Sequence, residues 1–509
     1  MDNQSYQRVL SAGIPPDLPV GEYLDSLARF IDFADAQGDP AGARHALDLV
    51  NRFRGSRSLD DRDSARLHYF EANAWGILKP APGPDSPDAW TWHSEAIENE
   101  IRQLRLARRS SGFSKLQGTN QAQIDTNLGN ALSTLGRFVE AKECFDRALE
   151  IDRAHGMARG NRGISLFTYA LTLPHLPHVP GFCTTAAFFQ EAEKNLKQAL
   201  KLPLEGDAHA YFMAYLQAVA DANSQVESAE GFAEEEAIGA DLEPGQPYRS
   251  WSLENRLFLN PLNDITRIPR AACDVLHLPA FTARPEHGFL LLGLVNQMKL
   301  EFAVARLLLF EGITSSEDRF ADKELLLADT LDYPALTIGV EKMRAAFRSV
   351  YSIFDKIGFF LNFYLGLGIP ASEVNFRRLW LETQKRSKKL RADFESRPNW
   401  PLRGLYWLSR DLQAHKADNN AIDPDAKDLA RIRNHIEHCY LRIHNEGWVA
   451  SGRGQGGEAT DGSSYSIDRG DFTLRAIRLL KLARSALIYL VFSVYAEEAK
   501  RGESHTATP

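Results

Sequence analysis

The chain has 509 residues, 44% of them hydrophobic and 25% charged, with 59 Lys and Arg against 67 Asp and Glu. That length exceeds what a single hydrophobic core serves and implies two or three globular domains. The formal net charge of −8 excludes a generally basic nucleic-acid coat, so any such contact has to come from a local basic patch. Cys144, Cys183, Cys273 and Cys439 are far apart and show no C-x-x-C spacing, which points to reduced thiols rather than a disulfide framework or a zinc site. The opening MDNQSYQRVL lacks a basic stretch followed by an apolar one, and apolar runs such as Ala486 to Tyr495 are shorter than a bilayer span. The expectation is a cytoplasmic protein with no membrane partner, no cofactor and no metal.

To about Leu202 the chain reads as helical hairpins. The clearest is Thr126 to Asp152, TNLGNALSTLGRFVEAKECFDRALEID. Leu128-Gly129, Leu132, Ala141, Phe145 and Ala148 alternate small and large residues, as two closely packed helices require, and Gly136 marks the turn between them. Gly163 follows Gly129 by 34 residues, and the set Ala141/Phe145/Ala148/Leu149 recurs as Ala192/Leu196/Ala199/Leu200. The longer second spacing leaves room for the Pro-rich loop Leu171 to Phe182, whose His175 and His178 are read as exposed loop residues. This pattern resembles the tetratricopeptide (TPR) repeat, with Arg153 standing where that family often has proline. Upstream, Tyr23–Ala36 with Ala41–Arg54, and Arg62–Leu78 with Trp90–Arg108, read as degenerate hairpins of the kind that cap a stack. The resemblance implies a groove for a protein or peptide partner.

From Ala220 to Pro247 carboxylates and small residues dominate, which reads as an acidic flexible linker over 221–250. WSLENRLFLNPLND, Trp251 to Asp264, then reads as a turn-rich docking segment. Helices follow at His287–Gly312, Pro334–Gly366, Ser372–Ser396 (a basic one), Pro401–Gln413, about Asp425–Asn445, and Phe472–Lys500. Between the last two lies the Gly/Ser-rich loop Ser451–Ser466. Leu474, Ile477, Leu480, Ala483, Leu487, Leu490 and Val494 recur at helical spacing and predict a core face. The predicted fold is all-α: hairpin repeats over 1–220, then a helical bundle domain over 251–509 with its core at about 287–501.

One stretch in the bundle carries chemistry. Arg433-Asn434-His435-Ile436-Glu437-His438 places an arginine, a polar residue and a histidine on one helix, with Leu429, Ile432, Ile436 and Cys439 as the expected buried stripe. Arginine presents a planar fork of donors to a phosphate, and histidine moves protons near neutral pH. The spacing alone is weak: Arg410–His415 and Arg62–His68 fit it too. The setting, a long amphipathic helix between two bundle helices, selects Arg433–His438.

A bundle with R-N-x-x-x-H on an inner helix resembles the HEPN superfamily, over about His287 to Arg501, and the combination with TPR-like repeats resembles bacterial proteins of toxin-type and antiviral defence. Nuclease members carry R-x4–6-H with a polar residue after the arginine. The resemblance implies a metal-independent endoribonuclease: His438 as acid or base, Arg433 as the clamp on the charged phosphorane, Asn434 as the orienting residue. It also implies a homodimer that brings two motifs into one cleft. Asp355, His435 and Glu437 are candidate supporting residues, Asp355 as a carboxylate that would pair with Arg433. His444 reads as a helix-end residue. Arg377, Arg378, Lys385, Arg386, Lys388 and Lys389 form the densest positive patch and are the RNA-binding candidates. The alternative is a non-catalytic scaffold in which both helical regions serve assembly.

Overall fold

Helical hairpins in the first half form because each helix is capped and carries small residues where its partner passes. In the computed structural model the described residues are 1–79, 92–173, 184–226, 247–281, 285–315, 320–328, 333–384, 387–412, 422–445, 447 and 463–506. The short α1 (Asn3–Ala12) precedes the pairs α2 (Val20–Gln37) with α3 (Pro40–Ser56), and α4 (Asp61–Ile77) with α5 (Glu95–Arg109). The pairs α6 (Gly118–Thr134) with α7 (Phe138–Ile151), and α8 (Gly156–Thr172) with α9 (Thr184–Ala199), continue the stack to α10 (Ala208–Asn223). Asp39 caps α3 by accepting from Ala41 N at 2.9 Å, and Asp60 caps α4 by accepting from Asp63 N at 2.7 Å. A Cβ at Gly129 would sit 2.7 Å from the Phe145 ring, and one at Gly163 would sit 2.8 Å from Leu196. The repeated glycine is therefore the contact point of each hairpin. The Pro-rich loop with His175 and His178, and most of the acidic 221–250 segment, lie outside the described residues.

The docking segment forms α11 (Pro247–Glu254) and the single turn α12 (Leu262–Ile265). The second half is built on α13 (Pro285–Thr314) and α15 (Ile338–Leu365), with the turn α14 (Phe320–Lys323) between them. It continues through α17 (Trp400–Asp411), α18 (Ala426–His438) and α19 (Arg469–Thr506). Helix α19 buries Leu480, Ala483, Leu487, Leu490 and Val494, while Leu474 at its outer end is exposed.

Two local expectations fail. The basic stretch is a hairpin, β1 (Leu381–Gln384) antiparallel to β2 (Ser387–Leu390), followed by the turn α16 (Ala392–Glu395). Residues 385–389 hold no apolar residue that could anchor a helix, whereas Trp380, Leu390 and Phe394 around the run are buried. The motif helix ends at His438 rather than near Asn445. Cys439 is extended (φ −137°, ψ −162°), and β3 (Tyr440–His444) pairs in parallel with β4 (Ser464–Asp468). Residues Leu441 to His444 of YLRIH are all buried, as in a strand covered on both faces, and pairing with β4 overrides the helix. The regular structure of the described residues is otherwise helical, as expected.

By length and composition alone, two helices could cross a membrane: 288–314 with mean hydropathy 1.3, and 469–502 with mean hydropathy 1.5. The second is 83% buried against the rest of the protein, as a core helix is, and the first is 28% buried. Phe289, Leu290, Leu292, Leu300, Val304 and Leu307 of α13 form its exposed apolar surface.

The two halves are joined by buried polar contacts. Gly136 (φ +82°) turns so closely against α17 that a Cβ would lie 2.8 Å from Trp400 Cδ1. Asp411, 1% exposed, receives both terminal nitrogens of Arg105 at 2.7 and 2.9 Å and an Nη1 of Arg137. Burial pushes this carboxyl up, but the two guanidinium charges outweigh it and hold the pKa down at about 2. On the other side, Asp264 of the docking segment accepts from Tyr169 Oη at 2.8 Å and from Arg484 Nη1 at 2.7 Å. Asp411→Ala would strand two buried guanidinium groups and is expected to cost about 3–5 kcal/mol, as removal of one partner from a buried pair does. Urea unfolding followed by circular dichroism measures this.

Candidate functional site

Helix α18 is short, and its position is set by which face it buries. Ala426, Leu429, Ile432 and His435 face inward. Ile436 is only half-buried and Cys439 is exposed, so the buried stripe is rotated from the expected one and His435 belongs to it. His435 Nδ1 donates to the carbonyl of Arg431 at 2.7 Å, and its ring lies 5.6 Å from that of Tyr465 on β4. It is a packed residue, buried one helical turn in from the edge.

The rotation leaves Asn434 and His438 together on the exposed side, four residues apart and hence neighbours on the helix surface. Asn434 Nδ2 reaches Cys439 Sγ at 3.8 Å. His438 occupies the last turn, where the helix carbonyls favour a cation. Among the described residues its side chain has no hydrogen-bond or ion-pair partner. Arg433 is half-buried, its guanidinium carbon 5.2 Å from the centre of the Tyr351 ring on α15.

Helix α15 supplies the rest of the site. Arg344, Arg348, Tyr351 and Asp355 recur at helical spacing on the side that meets α18. Arg344 Nη2 donates to Leu441 O at 2.6 Å, and Arg348 Nη2 donates to Ile436 O at 3.2 Å. Arg348 Nε also lies 3.3 Å from Glu437. Glu437 is therefore an ion-pair partner that holds the C-terminal turn of α18 in place. Asp355 does not pair with Arg433; it accepts from the backbone N–H of Phe376 at 3.3 Å and so fixes the loop that carries Arg377. The Tyr351 hydroxyl is pushed up mainly by burial, while Arg377 and Arg433 both pull it down and Asp355 raises it. That common influence places Arg377, Arg433, Tyr351 and Asp355 in one electrostatic neighbourhood.

Of the RNA-binding candidates, Arg377 is half-buried beside this neighbourhood, and Arg378 and Lys389 are exposed. Lys385 and Arg386 lie outside the described residues, and nothing is described of the Lys388 side chain. Arg344, Arg348 and Tyr351 were missed by sequence reasoning. The signal was present as R-x-x-x-R-x-x-Y-x-x-x-D along one helix face. His444 is in β3, not at a helix end: it is 1% exposed, with Nε2 3.2 Å from Ser466 Oγ. The competing spacing at Arg62 and His68 is not a wholly solvated face either, since His68 Nδ1 lies 2.7 Å from Gln103 Oε1. Burial lowers the His68 pKa. Among the described residues no three His, Cys, Asp or Glu side chains gather closely enough to hold a metal ion.

An array of helical hairpins welded to a bundle, with an Arg/His helix presented at the bundle's edge, defines a TPR-plus-HEPN class of protein. Comparison with family models agrees. Residues 285–497 match the LA2681-like HEPN family and residues 126–155 match the tetratricopeptide repeat. The chain is thus a TPR-repeat protein with a C-terminal HEPN domain. No curated protein and no solved structure matched it.

The burial difference separates the two histidines. His435→Ala removes a packed, hydrogen-bonded ring and is expected to cost about 1–3 kcal/mol, whereas His438→Ala is expected to stay within about 0.5 kcal/mol of the parent protein. Denaturant midpoints for the two variants decide this.

Proposed function

We propose that the protein is a metal-independent endoribonuclease in which Arg433, Asn434 and His438 act on RNA, and that it serves as a toxin-type or antiviral effector governed through its TPR array. The observation that carries the reading is the contrast on α18. His435 is spent on packing, while His438 and Asn434 stand exposed beside an arginine held over Tyr351.

The chemistry uses RNA's own nucleophile. A base removes the 2′-OH proton, the 2′-oxygen bonds to the adjacent phosphorus, the bond from phosphorus to the 5′-oxygen breaks, and an acid gives that oxygen a proton. The products are a 2′,3′-cyclic phosphate and a 5′-OH. His438 performs one proton transfer. Arg433 faces the added negative charge of the pentacoordinate phosphorus, its cation–π contact limiting the rotamers it would otherwise lose on binding. Asn434 orients the phosphate, and Arg377 with Arg378 and Lys389 steers the RNA backbone.

One histidine does one of the two proton jobs. Arg433 and His438 are five residues apart, on different sides of a helix with 3.6 residues per turn, so each chain supplies half a site. A homodimer through the HEPN domain completes it. The exposed apolar surface of α13 supports a protein partner for this half of the molecule.

Incubation of the pure protein with mixed RNA in EDTA is expected to yield 2′,3′-cyclic-phosphate ends, and light scattering is expected to give twice the chain mass of 57.0 kDa. His438→Ala is expected to lower cleavage by about 100-fold or more, the usual contribution of a general acid or base. Arg433→Ala should relieve any toxicity on expression. Full activity in a folded His438→Ala protein would overturn the assignment.

A further inference from the structure

Where the TPR array meets the bundle there is a cavity of about 330 Å³ that the cleavage chemistry does not use. Its wall draws on α5, the α6–α7 hairpin, residues 423–425 ahead of α18, and α19. Eight arginines and one lysine line it, against five carboxylates. Carboxylates behind the wall, Asp125 and Asp428 among them, bring the network towards neutrality, so net charge alone decides nothing.

The donors decide it. Arg108 gives only its Nε to Asp125 Oδ1, at 2.9 Å. Arg147 gives Nε and Nη2 to the same oxygen, at 3.1 and 2.9 Å. Two guanidinium groups thus share one carboxylate oxygen. Among the described residues both Nη groups of Arg108 and Nη1 of Arg147 have no acceptor. Arg137, 2% exposed and on the same wall, has an Nε without a partner. Of these donors only the Arg137 Nε is buried, and a buried unsatisfied donor is costly unless something fills the role. Arg108 and Arg147 are 40% and 30% exposed, so their spare Nη groups are open to a ligand from solvent. Planar arginine forks with spare parallel donors are the geometry that phosphate oxygens satisfy. The volume is at the lower end of the roughly 300–1,000 Å³ of small-molecule sites, and Leu128, Leu132 and Leu482 supply an apolar wall.

We propose that this cavity binds a small phosphorylated ligand of nucleotide size through Arg108, Arg137 and Arg147, and that its occupancy reaches the motif helix. The link is Arg109, next to Arg108 on α5. Its two Nη atoms lie 3.1 Å from Asp425 and 3.1 Å from Asp428, at the N-terminal end of α18. Arg478 of α19 also pairs with Asp423 and Asp425. A ligand phosphate drawing on these arginines competes with the carboxylates that anchor α18.

The test is calorimetric titration of the full chain with ATP and, separately, with inorganic pyrophosphate, at matched ionic strength set with NaCl. Micromolar binding of at least one probe is expected, weakened about tenfold or more in the double variant Arg108→Gln/Arg147→Gln, the loss of one charge-assisted contact. Arg62→Gln, at an exposed site on α4, should bind as the parent does. If the double variant does not fold, Lys481→Gln leaves Asp125 paired and is expected to weaken binding as well. Hydrogen exchange over residues 423–438 should change on addition of the bound probe. Absence of binding at millimolar probe, unchanged affinity in the variants, or capture of an RNA oligonucleotide at these arginines without either small probe would each overturn the proposal. Binding without altered exchange at 423–438 would overturn the link to α18. These readouts do not depend on RNA cleavage, so the two readings fail separately.

Discussion

A carboxylate buried at 1% exposure cannot persist without charge partners, and Asp411 takes both of its partners from the other half of the molecule. Arg105 comes from the second hairpin and Arg137 from the turn of the clear repeat. Because each guanidinium fork is directional, the pair fixes not only the distance between array and bundle but their mutual rotation. The glycines are consequences of that closeness: at Gly136 and Gly404 the two backbones pass with no space for a Cβ. Asp264 performs the same service on the far side, taking Tyr169 from the array and Arg484 from α19. The apolar core is continuous across the junction, with Phe138 of α7 against Tyr489 and Phe492 of α19. Hydrophobic contact supplies the cohesion there and the ion pairs supply the geometry.

Within the bundle, α15 plays the part that Asp411 plays between the halves. Its polar stripe holds α18 by the carbonyl of Ile436, by Glu437 and by the Tyr351 ring. A 13-residue helix followed at once by a strand has little stability of its own. Its orientation comes from these contacts and from the short parallel pair of β3 and β4. The same contacts determine which side of the helix meets solvent, and so which histidine is exposed.

The architecture was legible wherever a pattern was long. Hairpin glycines 34 residues apart, and an apolar repeat over the last helix, are signals that many residues repeat, and the hairpins and long bundle helices lie where those patterns put them. The site was legible only in outline. R-N-x-x-x-H named the helix but not its rotation, because His435 and Cys439 could exchange places between core and surface at little cost in the pattern. Tertiary packing against Tyr465 settled it. The basic run misled for a related reason: charge carries no periodicity, so a hairpin and a solvated helix look alike until Trp380 and Leu390 are seen to need a common burial site. In place of the expected Asp355–Arg433 pair, Asp355 accepts from the backbone N–H of Phe376 and Arg433 lies over the Tyr351 ring. Contacts between residues hundreds of positions apart, such as Arg105 with Asp411, leave no local trace in a single sequence.

Helix α18 joins these two levels. Thirteen residues at 1.5 Å each give a rod of about 20 Å, with Asp425 and Asp428 at one end and His438 at the other. Acidic residues at the N-terminus and histidines at the C-terminus both suit the helix dipole, so the rod is electrostatically consistent along its length. Its acidic end is held by Arg109 from the repeat array and by Arg475 and Arg478 from α19. Its far end is held by α15 and by Tyr465 of β4. A rigid element gripped at one end by a different domain transmits displacement to the other end without needing a chain of small side-chain movements. Arg109 is 45% exposed, and a surface ion pair such as those it makes with Asp425 and Asp428 is worth about 1 kcal/mol or less. An anchor that weak can be exchanged for a ligand's charge, whereas the fully buried Asp411 cluster cannot. On the ligand proposal, the Arg109 pairs are the joint that yields and the buried Asp411 cluster the one that stays fixed, and the yielding joint bears on the helix carrying Arg433 and His438.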